Sequence, residues 1–230
     1  FPQYADWYLK FANNEIVIAY NTKSKKAKEI NSNNWWKVLL DKNITIGRSD
    51  PNSDPCGYRT VITLKLAEKY YAKKNLAQPI ILKNNELIRP KEIDLISLLD
   101  LGEVDYIFIY RSVAEQLKLN YLQLPKEINL SDEKLNDYYK SVSLELSGKN
   151  SNNKIIQFGE AISYGVTIPK NSLNKNLAIK FLEFMLEKNK GIKIIEKYGQ
   201  KSTIPSNCVQ FEKLPNELKK FALKSDVKKN

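Results

Sequence analysis

The chain has 230 residues, enough to bury a real core in one or two domains, and its 42% hydrophobic and 27% charged residues exclude a disordered chain. No run of roughly 18 apolar residues occurs, so no membrane-spanning helix is expected. The net charge of +11 comes almost wholly from lysine spread along the chain; arginine stands only at 48, 59, 89 and 111. No zinc-finger, helix-turn-helix or RNA-binding signature accompanies that charge, so no nucleic-acid partner is expected.

In chain order, Glu15 to Tyr20 reads as a buried strand. An Asn-rich cap at Asn31 to Asn34 leads into a short helix from Trp35 to Leu40. Ile44 to Ile46 is a strand. The Pro/Gly-rich stretch from Ser49 to Arg59 follows, and then apolar spacing predicts a helix from Thr60 to Lys74. A second helix is expected from Glu92 to Leu101, ended by Gly102. Asp105 to Tyr110 is a strand apolar on both faces, and a helix starts at Arg111. This alternation argues for βαβ units.

Further on, strands are expected from Tyr138 to Leu146, at Ile155-Ile156 and from Ala161 to Pro169, with a polar turn from Ser147 to Asn153. Leu173 to Lys188 is an amphipathic helix whose Leu173, Leu177, Phe181, Phe184 and Met185 face is expected to be core. Gly191 to Tyr198 and Leu214 to Leu223 read as helices, and the charged C terminus from Lys224 as a frayed tail. The strands 15–20 and 161–168 bracket an α/β block and are placed to pass between two lobes.

The chemistry is bounded by an absence. There is no histidine, which excludes a Ser-His-Asp or Cys-His pair and the commonest metal ligand. Two cysteines, Cys56 and Cys208, are able to form one disulfide in an oxidising compartment.

The junction at Asp54-Pro55-Cys56-Gly57 places free N–H groups and a helix N terminus together, which outlines an anion site. Asp54 puts a carboxylate where the anion would sit. On spacing alone its simplest role is helix capping, and that of Glu92 is dipole complementation. Tyr110 ends a buried strand where open α/β sheets face ligands; it reads equally as an edge-of-core aromatic. A Mg²⁺ or Ca²⁺ site from Asp50, Asp54 and Glu92, or a carboxylate-based hydrolase, would need more than these residues offer.

Several segments together carry a resemblance. They are Tyr4-Ala5-Asp6-Trp7-Tyr8, Asn14-Glu15-Ile16-Val17-Ile18-Ala19-Tyr20, Asp54-Pro55-Cys56-Gly57-Tyr58-Arg59-Thr60 and Lys91-Glu92-Ile93-Asp94-Leu95. Asp105 to Ser112, Leu124 to Leu130 and Tyr164 to Pro169 continue the set. In this order they resemble the archaeal-type tungstate/molybdate-binding proteins, the substrate-binding components of ABC importers, over nearly the whole chain.

The resemblance implies an α/β, two-lobed periplasmic-binding-protein fold of type II, and a binding protein rather than an enzyme. Its ligand would be tungstate or molybdate, with no cofactor. It implies that Asp54 and Glu92 ligate the metal of the oxyanion and expand its coordination from tetrahedral toward octahedral. Cys56 and Gly57 N–H groups and the Tyr110 hydroxyl would bind the oxo groups.

The family pattern also carries an N-terminal segment with Ser-containing loops ahead of the point matched by Phe1. One lobe is therefore expected to be incomplete: residues 1–14 and 169–230 as its remaining parts, with 15–168 as the other lobe. The expected partners are ABC permease subunits, the expected state a monomer when that segment is present, and the expected place the outer face of the cell membrane. The alternatives are the effector domain of a LysR-type regulator and a truncated remnant that does not bind.

Overall fold

The computed structural model describes residues 3–147 and 154–225. Its contacts divide the chain into two units, Phe1–Asn14 with Ser163–Asn230, and Glu15–Ile162. The chain begins in the smaller unit with β1 (Leu9–Asn13) and enters the larger at Glu15. There it forms β2 (Ile16–Tyr20), α1 (Trp35–Leu40), β3 (Ile46–Ser49), α2 (Pro55–Tyr70) and α3 (Ala77–Leu82). The unit continues with β4 (Ile88–Arg89), α4 (Asp94–Leu101), β5 (Tyr106–Tyr110), α5 (Arg111–Gln116) and β6 (Asn120–Gln123). Two short helices, α6 (Lys126–Asn129) and α7 (Asn136–Tyr139), precede a hairpin of β7 (Ser143–Ser147) and β8 (Lys154–Phe158).

The larger unit is built on a mixed sheet in the order β4-β3-β5-β2-β6. β3 runs parallel to β4, with Ser49 opposite Arg89, and parallel to β5, with Gly47 opposite Ile107. β2 is antiparallel to both β5 and β6. The apolar runs of β2 and β5 are buried on both faces because helices cover both. Ile16, Ile18, Tyr106 and Phe108 pack into a core with Trp35 and Leu64. Val17, Ala19, Ile107 and Ile109 face the other way, onto Leu95 and Leu99 of α4. That helix stops at Gly102, whose φ of 76° is the left-handed cap a glycine adopts without strain.

The smaller unit continues with β9 (Ser163–Val166), α8 (Lys175–Leu186), α9 (Gly191–Lys197), β10 (Lys201–Ser202), β11 (Ser206–Cys208) and β12 (Ala222–Lys224). β1 is the middle strand between β10 and β9, and β11 pairs with β12. Its core gathers Trp7, Leu9, Leu182, Leu186, Leu218 and Phe221.

Several elements differ from expectation. The third strand starts at Ile46, after Thr45 has been held by Asp105, whose Oδ2 accepts the Thr45 N–H at 2.9 Å. The stretch from Tyr138 to Leu146 is not one strand. α7 ends at Tyr139, whose buried ring is tied by its hydroxyl to the Lys126 carbonyl, and β7 begins only at Ser143. Leu214 to Leu223 is a 3₁₀ segment, Asn216–Phe221, followed by β12, which Lys224 ends; residues 226–230 of the expected tail lie outside the described residues. The turn at 148–153 lies outside the described residues.

The clearest reversal is α8. Leu173, Leu177, Phe181 and Phe184 are exposed, at 97, 67, 60 and 49%, while Leu182 and Leu186 take the core and, of the expected face, only Met185 packs against it. The cysteines do not pair: both are free, buried thiols, one in each unit.

Candidate functional site

Three parallel strands, β4, β3 and β5, deliver their C-terminal ends to one edge of the sheet. Asp54, Glu92 and Tyr110 all follow from those ends, and open α/β sheets receive ligands there. After β3 the chain turns sharply. The Asp50 side chain accepts from the Asn52 N–H at 3.0 Å and the Ser53 hydroxyl at 2.8 Å, and its carbonyl accepts the Asp54 N–H at 2.9 Å.

Asp54 is then extended (φ −139°, ψ 131°), as a residue before proline prefers, and caps α2. Its carboxylate is 7% exposed and has both oxygens engaged. Oδ1 accepts the Cys56 N–H at 3.2 Å, and Oδ2 accepts the Glu92 N–H at 2.9 Å. The Gly57 N–H is donated to the Asp54 carbonyl at 3.0 Å. A Cβ on Gly57 would lie 2.6 Å from the Asp50 carbonyl carbon and oxygen and from the Ser49 carbonyl oxygen. The glycine thus serves a close approach, and the backbone approached is the chain's own.

Glu92 stands two residues before α4, in the turn that leads to it, rather than inside the helix. Its carboxyl is pushed up to about 6, first by burial and then by hydrogen bonding to Asp54, whose charge adds to the effect. Two acidic side chains 38 positions apart thus meet because β3 and β4 are neighbours. Among the described residues no group of three or more His, Cys, Asp or Glu could hold a metal ion. Asp50 spends its carboxylate on its own loop.

Tyr110 and Cys56 complete the cluster. Burial, above all, pushes the Tyr110 phenol upward. Its hydroxyl accepts from Nη1 of Arg59 at 2.6 Å. The Arg59 guanidinium lies 5.4 Å from the Tyr58 ring centre and 5.7 Å from that of Tyr110, within cation–π range. Cys56 is fully buried, and its Sγ points to the Phe108 carbonyl at 3.8 Å. Burial, then the nearby Asp54 and Glu92 charges, pushes this thiol up, so it stays protonated.

Sequence reasoning missed Arg59. The available signal was the scarcity of arginine. Of only four, Arg48 lies in β3, Arg89 in β4, Arg59 on α2 and Arg111 just past β5. It also missed Glu15, which is 4% exposed and accepts from Arg111 Nη1 and Gln123 Nε2 at 3.0 Å each and from Asn129 Nδ2. That network fastens the start of β2 to the residue after Tyr110.

A family model described as bacterial extracellular solute-binding protein matches residues 3–201. The chain is 47% identical over 224 residues to an uncharacterized solute-binding protein of Petrotoga mobilis, covering 96% of this chain and 68% of that one. It is 42% identical over 240 residues to the molybdate/tungstate-binding protein WtpA of Pyrococcus abyssi, covering 95% of this chain and 68% of WtpA. Among solved structures, the periplasmic molybdate-binding protein of Azotobacter vinelandii superposes with a TM-score of 0.51 at 17% identity, over 86% of this chain and 70% of that one. PEB3 bound to L-phospholactate superposes with a TM-score of 0.52 at 10% identity, over 84% of this chain and 68% of that one. At these identities the structural likeness speaks for the fold.

Proposed function

The chain belongs to the bacterial extracellular solute-binding proteins, with the type II periplasmic-binding-protein fold, and from that premise we propose that it binds molybdate or tungstate with high affinity for delivery to an ABC importer. The observation that carries this reading is the meeting of Asp54 and Glu92 at the N terminus of α2, with Glu92 held near its proton.

A bare carboxylate pair repels an anion. Two unit charges about 4 Å apart near a protein surface interact by roughly 4 kcal/mol. Molybdenum and tungsten reverse that balance, because their centres accept further oxygen ligands; the sulfur of sulfate and the phosphorus of phosphate do not. The same two side chains therefore attract the cargo and reject its commoner competitors.

In this reading Asp54 and Glu92 each give one oxygen to the metal, and the oxo groups of the anion fill the remaining positions. Ligation draws Oδ1 of Asp54 from the Cys56 N–H, which then turns to an oxo group. The Gly57 N–H is shared between the Asp54 carbonyl and the ligand, and the Tyr110 hydroxyl donates from the β5 side. The α2 N terminus offsets part of the added negative charge. The family is extracellular, which fits delivery to permease subunits at the outer face of the membrane. No match among these relatives favours a LysR-type regulator.

Isothermal titration of the intact protein tests the proposal. Tungstate and molybdate should bind at micromolar concentration or below, with sulfate and phosphate silent. Heat from sulfate equal to that from tungstate, or no response to either metal oxyanion, would refute it.

A further inference from the structure

Arg59 is half-buried on α2, five residues past its cap. Its Nε is shielded from solvent and has no hydrogen-bond partner, and among the described residues no carboxylate pairs with it. In place of a counter-ion the guanidinium has the faces of Tyr58 and Tyr110. Its one hydrogen bond goes to the Tyr110 hydroxyl.

That bond constrains a proton. An arginine is always a donor, so the tyrosine oxygen accepts through a lone pair. The Tyr110 O–H is then left to donate, and among the described residues it has no acceptor. The hydroxyl is thus a donor with an unused proton, beside a guanidinium with no carboxylate partner and close enough to Asp54 to feel its charge.

Resting on the oxyanion reading above, we propose that Arg59 is a positioning residue: it fixes the Tyr110 hydroxyl as a donor to the bound oxyanion and supplies the site's counter-charge. Selectivity then rests on four side chains of opposed sense. Two carboxylates demand a metal centre, and the arginine–tyrosine pair demands an oxo group beside it.

The test is a double-mutant cycle by tungstate titration of the intact protein, using Arg59→Met, Tyr110→Phe, the double variant, Arg59→Lys and Asp54→Ala. Arg59→Met and Tyr110→Phe should each weaken binding about 10- to 100-fold, the range for a hydrogen bond to a charged group. The double variant should bind within about threefold of the weaker single variant, because the two act as one unit. Arg59→Lys should recover part of the loss, since an ammonium still donates to the tyrosine oxygen.

Full additivity in the double variant, or wild-type affinity in Arg59→Met beside a weakened Tyr110→Phe, overturns the role of Arg59 and leaves the oxyanion reading standing. Wild-type affinity in Asp54→Ala removes the oxyanion reading itself. Should Arg59→Met fail to fold, the cycle of Arg59→Ala with Tyr110→Phe reads the same coupling.

Discussion

Oδ2 of Asp54 accepts the backbone N–H of Glu92 at 2.9 Å, so one acidic side chain fixes the backbone that carries the other. The same carboxylate caps α2 through the Cys56 N–H. Asp54 therefore organises the site before any ligand arrives.

Capping and ligation are separable at this residue. Asp54→Ala should lower the unfolding free energy by about 1–2 kcal/mol, from a lost cap and an orphaned N–H. Asp54→Asn should recover about half of that loss, because its single amide oxygen still accepts one of the two backbone N–H groups, yet lose tungstate binding because a neutral amide is a poor ligand. Urea denaturation and titration on the two variants distinguish the roles; undiminished tungstate affinity in Asp54→Asn would be incompatible with metal ligation.

Glu92 gives a pH dependence of defined sign. Its carboxyl sits at about 6 in the folded chain against an ordinary 4.5. A folded-state value above the unfolded one means that the stabilisation is complete below about 4.5 and is lost as pH rises through about 6. Melting temperatures of the ligand-free protein should fall across that window relative to Glu92→Gln. A constant difference between the two proteins from pH 4 to 7 would count against the carboxyl pair as described. Tungstate affinity should rise over the same window, as Glu92 gives up the proton that blocks ligation.

Gly57→Ala is expected to be severe. The added Cβ would meet backbone atoms of Ser49 and Asp50 at 2.6 Å, and backbone cannot swing aside as a side chain can. Overpacking of this kind costs about 1–3 kcal/mol. It would also push the α2 N terminus away from β3, so both stability and tungstate affinity should drop. A variant indistinguishable from wild type in both would show that the loop yields freely.

The α8 stripe makes the opposite prediction. In the 230-residue chain, Leu177→Gln or Phe181→Gln should change stability by no more than about 0.5 kcal/mol, as exposed positions do. Leu186→Ala, fully buried, should cost about 2–5 kcal/mol. Comparable losses at Leu177 and Leu186 would mean that the stripe is covered.

Much of the larger unit was legible. Continuous apolar runs such as Ile16 to Ala19 and Tyr106 to Ile109 have few alternatives to a doubly covered strand, and Gly102 marks a helix end; α2 was expected from Thr60 to Lys74 but runs Pro55–Tyr70, because the cap at Asp54 and not the apolar spacing sets its start. The helix Lys175–Leu186 was legible in extent but not in orientation. Leu177 and Phe181 share one spacing of four and Leu182 and Leu186 another, and periodicity does not say which stripe meets a partner. At 215–221 the spacing of Leu218 and Phe221 by three suits a 3₁₀ segment as well as an α-helix. Asp54 was readable as a cap. Its bond to Glu92 was not, because it depends on β3 and β4 lying side by side. Arg59 was hidden for a related reason: its bond to Tyr110 joins residues 51 positions apart, and the scarcity of arginine alone does not name the partner.

The inward turn of the Cys56 thiol has a consequence for which ions the site can mistake for its cargo. The one sulfur in the loop is buried against the Phe108 carbonyl, and the backbone N–H of the same residue is held by Asp54 Oδ1. What remains on the outer side is oxygen and polar hydrogen. Soft, thiophilic ions such as mercury or cuprous copper find no handhold there. The loop thus sorts by chemical hardness, and thiol-directed reagents should leave Cys56 untouched while the protein is folded.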